Sequence, residues 1–110
     1  MDVNDAHQRR FKRVPIEIRC GIILRGTFHF ADTVSISEGG LLIRAPVPLE
    51  IGDNLEIQLT LDSRVICPTG DAIYTLPRSL EYDGYLVGLR FSKIEFDELK
   101  LVRSFVRHAS

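Results

Sequence analysis

Between Val14 and Phe91 the chain consists of short segments in which every second residue is apolar. In residues 55–61, LEIQLTL, leucine and isoleucine alternate with polar side chains. Because successive side chains of a β-strand point to opposite faces, this alternation indicates half-buried strands. The pattern predicts strands near 15–25, 27–36, 39–45, 54–62, 65–77 and 84–91. Tight links between them predict an antiparallel barrel or sandwich, since parallel pairing needs long crossover connections.

The last segment of the sequence has a different period. Its apolar residues recur at helical spacing, and cations follow in the later turns, where they suit the negative end of the helix dipole. Ser92-Lys93-Ile94-Glu95 fits a capping box and is predicted to begin the helix. We therefore expect an all-β fold with one C-terminal amphipathic helix, about 92–108, whose apolar face contains Leu99, Val102, Phe105 and Val106.

Length and composition limit the class of protein. The chain has 110 residues, enough for one domain, and a net charge of −1. It contains no apolar run of the roughly 20 residues that a membrane span needs and no secretory signal, so we expect a cytoplasmic protein. Cys20 and Cys67 fit no metal-binding spacing; buried free thiols are the preferred interpretation and a disulfide is the alternative.

A cluster of cations stands near the start. Arg9, Arg10, Lys12 and Arg13 surround Phe11, and the chain then turns apolar at Val14. Residues 1–13 lack any periodicity and are predicted to form a flexible leader, with the folded domain over residues 14–110. Since the net charge is near zero, anion binding by this chain would require a local arrangement of such cations.

Catalysis finds little support in the sequence. His7, His29 and His108 are not spaced as metal ligands, and no nucleophile motif is present. We therefore expect no catalytic residue, no metal and no cofactor, and we predict that the protein is not an enzyme.

A second notable stretch is Ser35-Ile36-Ser37-Glu38-Gly39-Gly40. Regular strand alternation would place Thr33, Ser35 and Ser37 together on an outward face. Two successive glycines allow positive φ and close approach of a ligand to the main chain, although for the glycine pair alone a hairpin turn is the preferred interpretation.

Arg9-x-x-x-Arg13 followed by Ser35-x-Ser37-x-x-Gly40 resembles the two motifs of the PilZ domain family, RxxxR and [D/N]xSxxG. Gly88-Leu89-Arg90-Phe91 is similar to a late strand of that family, and a C-terminal helix follows. The resemblance covers residues 8–107. It implies a six-stranded antiparallel PilZ-type β-barrel in a bacterial signalling protein that binds the second messenger cyclic di-GMP.

The resemblance also implies roles for individual residues. A forked guanidinium can bind phosphate, or guanine O6 and N7, with two hydrogen bonds, and it can stack on a purine. The leader would then close over the ligand, and a partner would detect the change of surface. The implied ligand-binding residues are Arg9, Arg10, Arg13, Ser35, Ser37, Gly39 and Gly40.

Ser35 departs from the family pattern, because the first motif position is normally Asp or Asn. Serine is shorter and neutral, and it offers less to the donor edge of guanine. Asp32 could take its place only if a β-bulge near 31–34 turned it to the same face, and we offer such a bulge as a hypothesis. By strand parity Asp32 falls with Phe28 and Phe30, which we assign to the core together with Phe91, Phe96 and Phe105.

Two alternatives remain at this stage. One is a PilZ-like adaptor that no longer binds nucleotide and acts through protein contacts. The other is a small barrel for single-stranded nucleic acid, disfavoured by the net charge and the few aromatic residues free for stacking, with Phe11, Tyr74, Tyr82 and Tyr85 as candidates. In either receptor or adaptor, the signal would pass to a protein effector or to a second copy in a homodimer.

Overall fold

The computed structural model describes residues 11–77 and 84–109. It contains eight strands and one helix in these ranges. The strands are β1 (Val14–Pro15), β2 (Arg19–Leu24), β3 (Thr27–Ser37), β4 (Gly40–Ala45), β5 (Asn54–Leu61), β6 (Arg64–Ile66), β7 (Thr69–Leu76) and β8 (Tyr85–Lys93), and the helix is α1 (Phe96–His108).

Six of the strands close into an antiparallel barrel. The order β3-β2-β5-β7-β8-β4 is completed by pairing of β4 with β3, while β1 pairs with β3 and β6 with β5. The closed six-stranded barrel and the single C-terminal helix confirm the predicted fold class. Closure also gives each of the six barrel strands two paired neighbours, which removes free sheet edges.

The core fills the inside of the barrel. In β5 the predicted alternation is confirmed, since Leu55, Ile57, Leu59 and Leu61 are all buried and their neighbours are exposed. α1 packs against β3 and β5, and it buries Val102 and Val106 as its apolar spacing predicted. No helix of the described residues is long and apolar enough to cross a membrane.

Several predicted boundaries shift for local reasons. Residues 15–25 contain two strands, β1 and β2, and residues 65–77 contain β6 and β7, separated by Cys67-Pro68. The predicted capping box at Ser92 is wrong, because Ser92 and Lys93 still belong to β8. A capping box instead joins Glu95, the N-cap residue, to Glu98.

The bulge predicted near 31–34 is confirmed by the pairing of β3 with β4. Thr33 pairs with Ile43 and Ser35 pairs with Leu42, so Val34 is an extra residue on β3. As a result Thr33 turns inward, against prediction, and is buried. Its hydroxyl donates to the Ile16 carbonyl at 2.8 Å, which fixes the segment between β1 and β2.

The assignment of Phe28, Phe30 and Phe96 to the core is wrong, as their side chains are 46%, 61% and 67% exposed. Strand parity alone does not say which face of β3 is the inner one. Phe91 and Phe105 are partly buried and pack against the core, as predicted.

Both cysteines are free thiols. Cys20 is buried, as predicted, whereas Cys67 is exposed, which corrects the prediction for that residue. Burial, together with the nearby negative charge of Asp32, raises the pKa of Cys20 to about 11. The Cys20 thiol is therefore protonated and unreactive at neutral pH.

Candidate functional site

Pairing of β1 with β3 brings the two sequence motifs together. Val14 lies opposite Ile36, and Pro15 lies opposite Ser35. Arg13 therefore leaves the barrel beside the turn that joins β3 to β4. Phe11 lies farther back along the chain and covers this turn, because a Cβ added to Gly39 would be 2.8 Å from its ring.

These residues line a cleft on the outer face of four strands, β3, β4, β8 and β7. Residues paired across these strands form rows that run perpendicular to the strands. Two such rows face outward, and between them lies an inward-facing row of buried residues, Ile36, Leu41, Leu89 and Ala72. One row contains Ser35, Leu42, Gly88 and Tyr74, and the other contains Ser37, Gly40, Arg90 and Asp71. The cleft lining is Phe11, Arg13, Ser35, Ile36, Ser37, Gly39, Gly40, Leu41, Leu42, Ile73, Tyr74, Gly88, Leu89 and Arg90.

Two β-bulges shape the cleft from opposite sides. Val34 is the extra residue on β3, just before Ser35. On β7, Ala72 pairs with Leu89 and Tyr74 pairs with Gly88, which leaves Ile73 as the extra residue. Bulges re-aim the side chains that follow them and are common beside functional sites. Here they turn Ser35 and Tyr74 toward the same outer row.

Tyr74 provides a flat aromatic surface in the cleft. A Cβ added to Gly88 would be only 2.2 Å from a carbon of its ring, so the ring lies directly on the glycine backbone. Leu42 lies next to Gly88 in the same row. The floor of the cleft is therefore apolar and partly aromatic, which suits the face of a planar base.

Two arginines line the cleft. Arg13 is exposed at the β1 edge. Arg90 lies on β8, where its guanidinium is 3.6 Å from the Asp71 carboxylate. Asp71 is itself held by Asn54, which donates a hydrogen bond of 2.8 Å. The described lining thus contains two arginines, and the Asp71 carboxylate lies beside one of them, Arg90.

The β3–β4 turn is fixed by its own hydrogen bonds. The Gly39 N–H donates to the Ser37 hydroxyl at 3.1 Å, and the Phe91 N–H donates to the Gly39 carbonyl at 2.9 Å. In the first bond the Ser37 hydroxyl oxygen is the acceptor, so its hydroxyl hydrogen is still able to donate to another acceptor.

Glu38, at the tip of the turn, pairs with Arg103 of α1. This contact connects the lip of the cleft to the C-terminal helix. Because both side chains are partly exposed, it is a positional link and contributes little to stability.

The two glycines of the turn have structural roles that differ from the expectation of positive φ. Positive φ occurs at Gly26, Gly52 and Gly84 among the described glycines, and neither Gly39 nor Gly40 has it. A Cβ at Gly40 would be 1.8 Å from the Leu89 carbonyl oxygen. Gly40 is thus required for close approach of β4 to β8.

Of the seven residues proposed from sequence, the structure brings five to the cleft: Arg13, Ser35, Ser37, Gly39 and Gly40. Arg9 and Arg10 lie outside the described residues. Asp32 shares the outer face with Ser35 but does not line the cleft; its carboxylate lies 3.8 Å from Arg19.

Sequence reasoning missed Tyr74, Arg90 and the role of Phe11. Arg90 stood in the quoted Gly88–Phe91 segment without a function, and Tyr74 was considered only for stacking on nucleic acid. Their place in the cleft depends on the register of β7 with β8, which the bulge at Ile73 sets. Among residues 11–77 and 84–109, no group of His, Cys, Asp and Glu could hold a metal ion.

Comparisons with known proteins give a family match and a shared fold. The family model described as PilZ domain matches residues 7–108. No curated protein matches the chain.

Solved structures share the fold. The chain is similar to the inhibitor of motility MotI/DgrA of Bacillus subtilis, with a TM-score of 0.77 and 17% identity over 91% of this chain and 50% of that one. It is similar to PlzA of Borreliella burgdorferi, solved in complex with c-di-GMP, with a TM-score of 0.67 and 15% identity over 94% of this chain and 45% of that one.

A third similar structure is the PilZ domain of CeSA from a cellulose-synthesizing bacterium, with a TM-score of 0.56 and 19% identity over 89% of this chain and 94% of that one. The chain thus spans about half the length of MotI and PlzA. At these identities the similarity establishes the shared fold.

Proposed function

Because the chain belongs to the PilZ domain family, whose model matches residues 7–108, we propose that it is a receptor that binds cyclic di-GMP in the cleft of β3, β4, β8 and β7. The observation that supports this most is that Arg13 and Arg90 line one cleft together with the apolar floor that carries the ring of Tyr74. PlzA, a structural neighbour, is known in complex with the same nucleotide.

The chemistry of the cleft fits this ligand. Cyclic di-GMP presents two phosphates and two guanines, so its receptor needs forked donors and a flat surface. Arg13 can donate two hydrogen bonds to a phosphate or to guanine O6 and N7. A guanine lying on Leu42 and Tyr74 would have the hydroxyls of Ser35 and Ser37 beside it, one on each row of the cleft.

The size of the cleft supports a role for the leader, residues 1–13. Its volume of about 130 Å³ is well below the roughly 300–1,000 Å³ of an enclosed small-molecule pocket. A cyclic dinucleotide would be covered on one side only. Arg9 and Arg10, which precede Phe11, are the residues we propose to close over the other side.

In this proposal, ligand binding is the switch and a partner protein reads it. Ordering the leader costs about 1–2 kcal/mol per residue fixed, and each charge-assisted hydrogen bond returns about 1.5–3 kcal/mol. The change of surface follows from closing the leader, without any chemical step. The Glu38–Arg103 contact connects α1 to the β3–β4 turn, against which Phe11 of the leader packs.

Isothermal titration calorimetry with cyclic di-GMP tests the proposal. We expect the wild type to bind and Arg13→Ala to bind about 10–150-fold more weakly, the loss of one charge-assisted hydrogen bond. Arg9→Ala should show a similar loss. Arg64→Ala is the matched control, because Arg64 is an exposed arginine on β6 outside the cleft lining.

The alternative function, a protein adaptor that does not bind nucleotide, is favoured by one observation, which is Ser35 in place of an acid or amide. It predicts no heat from the wild type at high micromolar ligand. That result would refute the receptor proposal.

A further inference from the structure

A group of exposed side chains on β2 and the first half of β3 does not line the cleft. Phe28 and Phe30 lie on the outer face of the barrel with their ring centroids 5.0 Å apart, edge to face. Arg19 stands over the Phe30 ring at 5.5 Å from its centroid, and Asp32 follows at 3.8 Å from Arg19. We refer to these four residues as the aromatic patch.

The patch is rigidly supported by the sheet. The Phe28 ring rests on the bare backbone of Gly21, where an added Cβ would be 2.6 Å from a ring carbon. β2 and β3 pair without a register shift from Arg19–Asp32 to Leu24–Thr27. Since the rings are already held in place, little side-chain entropy would be lost when another surface covers them.

Such a surface is unusual for the solvent face of a small barrel. Phe28 and Phe30 remain 46% and 61% exposed although they are adjacent. Single exposed apolar side chains need no explanation, but contiguous apolar area with a polar rim is typical of interaction sites. Aromatic side chains, phenylalanine among them, are also enriched in protein interfaces relative to the rest of the surface.

The charges around the patch indicate what covers it. Arg19 and Asp32 lie at one end, with side chains 68% and 51% exposed. At the other end Glu56 lies across from Ile23, the register partner of Phe28. A rim of one sign would repel its own copy and suit a partner of opposite charge. A two-fold axis through the rings would bring the Arg19 end of one copy to the Glu56 end of the other, so that opposite charges meet.

We propose that the aromatic patch is a self-association surface, through which two copies of this chain form an isologous dimer with Phe28 and Phe30 at its centre. In a two-fold interface the same patch serves both copies, so self-complementary charge is the property it requires. The contact area is small, and weak dimers lie at the low end of interface size. We expect a dissociation constant on the order of 10–500 µM.

The proposal is independent of nucleotide binding, since it places the dimer on β2 and β3 and names none of the residues that line the cleft. Sedimentation equilibrium without ligand, over about 5–500 µM protein, measures it directly. We expect a monomer–dimer equilibrium for the wild type and at least tenfold weaker association for Phe30→Ser. Val65→Ser is the matched control, because Val65 is 66% exposed on β6, away from the patch.

A cross-linking experiment locates the two-fold axis. In a Cys67→Ser background, which leaves only the buried Cys20, Phe30→Cys should form a disulfide-linked dimer under mild oxidation, and Val65→Cys should not. Circular dichroism melting checks that each variant is folded.

Three results would overturn the proposal. A wild type that is monomeric at 500 µM would show that another molecule, or only solvent, contacts the patch. Equal weakening by Phe30→Ser and Val65→Ser, or a dimer unaffected by Phe30→Ser, would place the contact elsewhere.

Discussion

Ser35 is the residue on which the affinity of the proposed receptor depends. It stands in the outer row of the cleft beside Leu42, at the motif position where PilZ domains usually have Asp or Asn. The described cleft lining contains no carboxylate that could take its place. Asp32, the candidate from sequence, lies outside the lining and faces Arg19.

Replacing Ser35 with Asp should therefore strengthen binding of cyclic di-GMP. A carboxylate can accept two hydrogen bonds from the donor edge of guanine, and one regained bond is worth about 1–3 kcal/mol, or roughly 5–150-fold in affinity. Calorimetry should show the gain for Ser35→Asp and none for Ser63→Asp, which adds the same charge in the β5–β6 turn. Unchanged affinity for Ser35→Asp would mean that guanine does not bind beside this position.

Gly39 and Gly40 should differ in what they tolerate. An alanine methyl at Gly40 would meet the Leu89 carbonyl oxygen, which is backbone, whereas at Gly39 it would meet the movable ring of Phe11. We expect Gly40→Ala to lower the free energy of unfolding by at least about 3 kcal/mol and Gly39→Ala by less than about 1.5 kcal/mol. Urea denaturation measures both, and equal losses would contradict the packing role of Gly40.

At the scale of elements, short segments and irregular pairing build the site. β1 contains only Val14 and Pro15, yet its pairing with β3 brings Arg13 to the second motif. The bulge residues Val34 and Ile73 then turn the cleft side chains of β3 and β7 toward each other. The β1 pairing thus joins the two motifs, and the two bulges place Ser35 and Tyr74 in one row.

The start of α1 is held by one carboxylate with two tasks. One oxygen of Glu98 accepts a hydrogen bond from the Glu95 N–H at 3.1 Å, and the other accepts from the Cys67 N–H at 2.7 Å. Glu98 thus caps its own helix and ties it to the link between β6 and β7.

Glu98→Ala should lower the free energy of unfolding by about 1–3 kcal/mol, because it removes a helix cap and leaves the Cys67 N–H without its acceptor. Asp97→Ala is the control, since it removes a neighbouring charge from the same helical turn and should cost only about 0.3–1 kcal/mol. Thermal or urea unfolding compares them. Equal losses would mean that the charge, and not the two hydrogen bonds, is what stabilises the helix.

At the scale of the whole molecule, much of the fold could be predicted from sequence. Period-two alternation and turn residues predicted an antiparallel barrel or sandwich, the resemblance to the PilZ family implied the six-stranded barrel, and helical spacing predicted α1. Regular alternation alone assigned Thr33 to the wrong face of β3, because the bulge at Val34 reverses the alternation between Thr33 and Ser35. Phe28 and Phe30 were misplaced for a related reason: hydrophobicity does not reveal which side of a strand faces the core.

The candidate site was predictable only where its residues form motifs along the chain. Ser35, Ser37 and the glycines were found in this way. Tyr74 and Arg90 reach the cleft through the pairing of β7 with β8, whose register shift has no clear signal in the sequence. The β7–β8 side of the cleft is therefore set by strand pairing, which the motifs along the chain do not predict.

The central claim, that cyclic di-GMP binds on the outer face of β3, β4, β8 and β7, is tested most directly by amide chemical shifts. In a titration of the ¹⁵N-labelled protein followed by NMR, we expect saturable shifts for the amides of Ser35, Ser37, Gly39, Gly88 and Arg90. The amides of Phe28 and Phe30 should not follow the ligand. No saturable shift at millimolar nucleotide, or shifts confined to residues outside the cleft, would contradict the account.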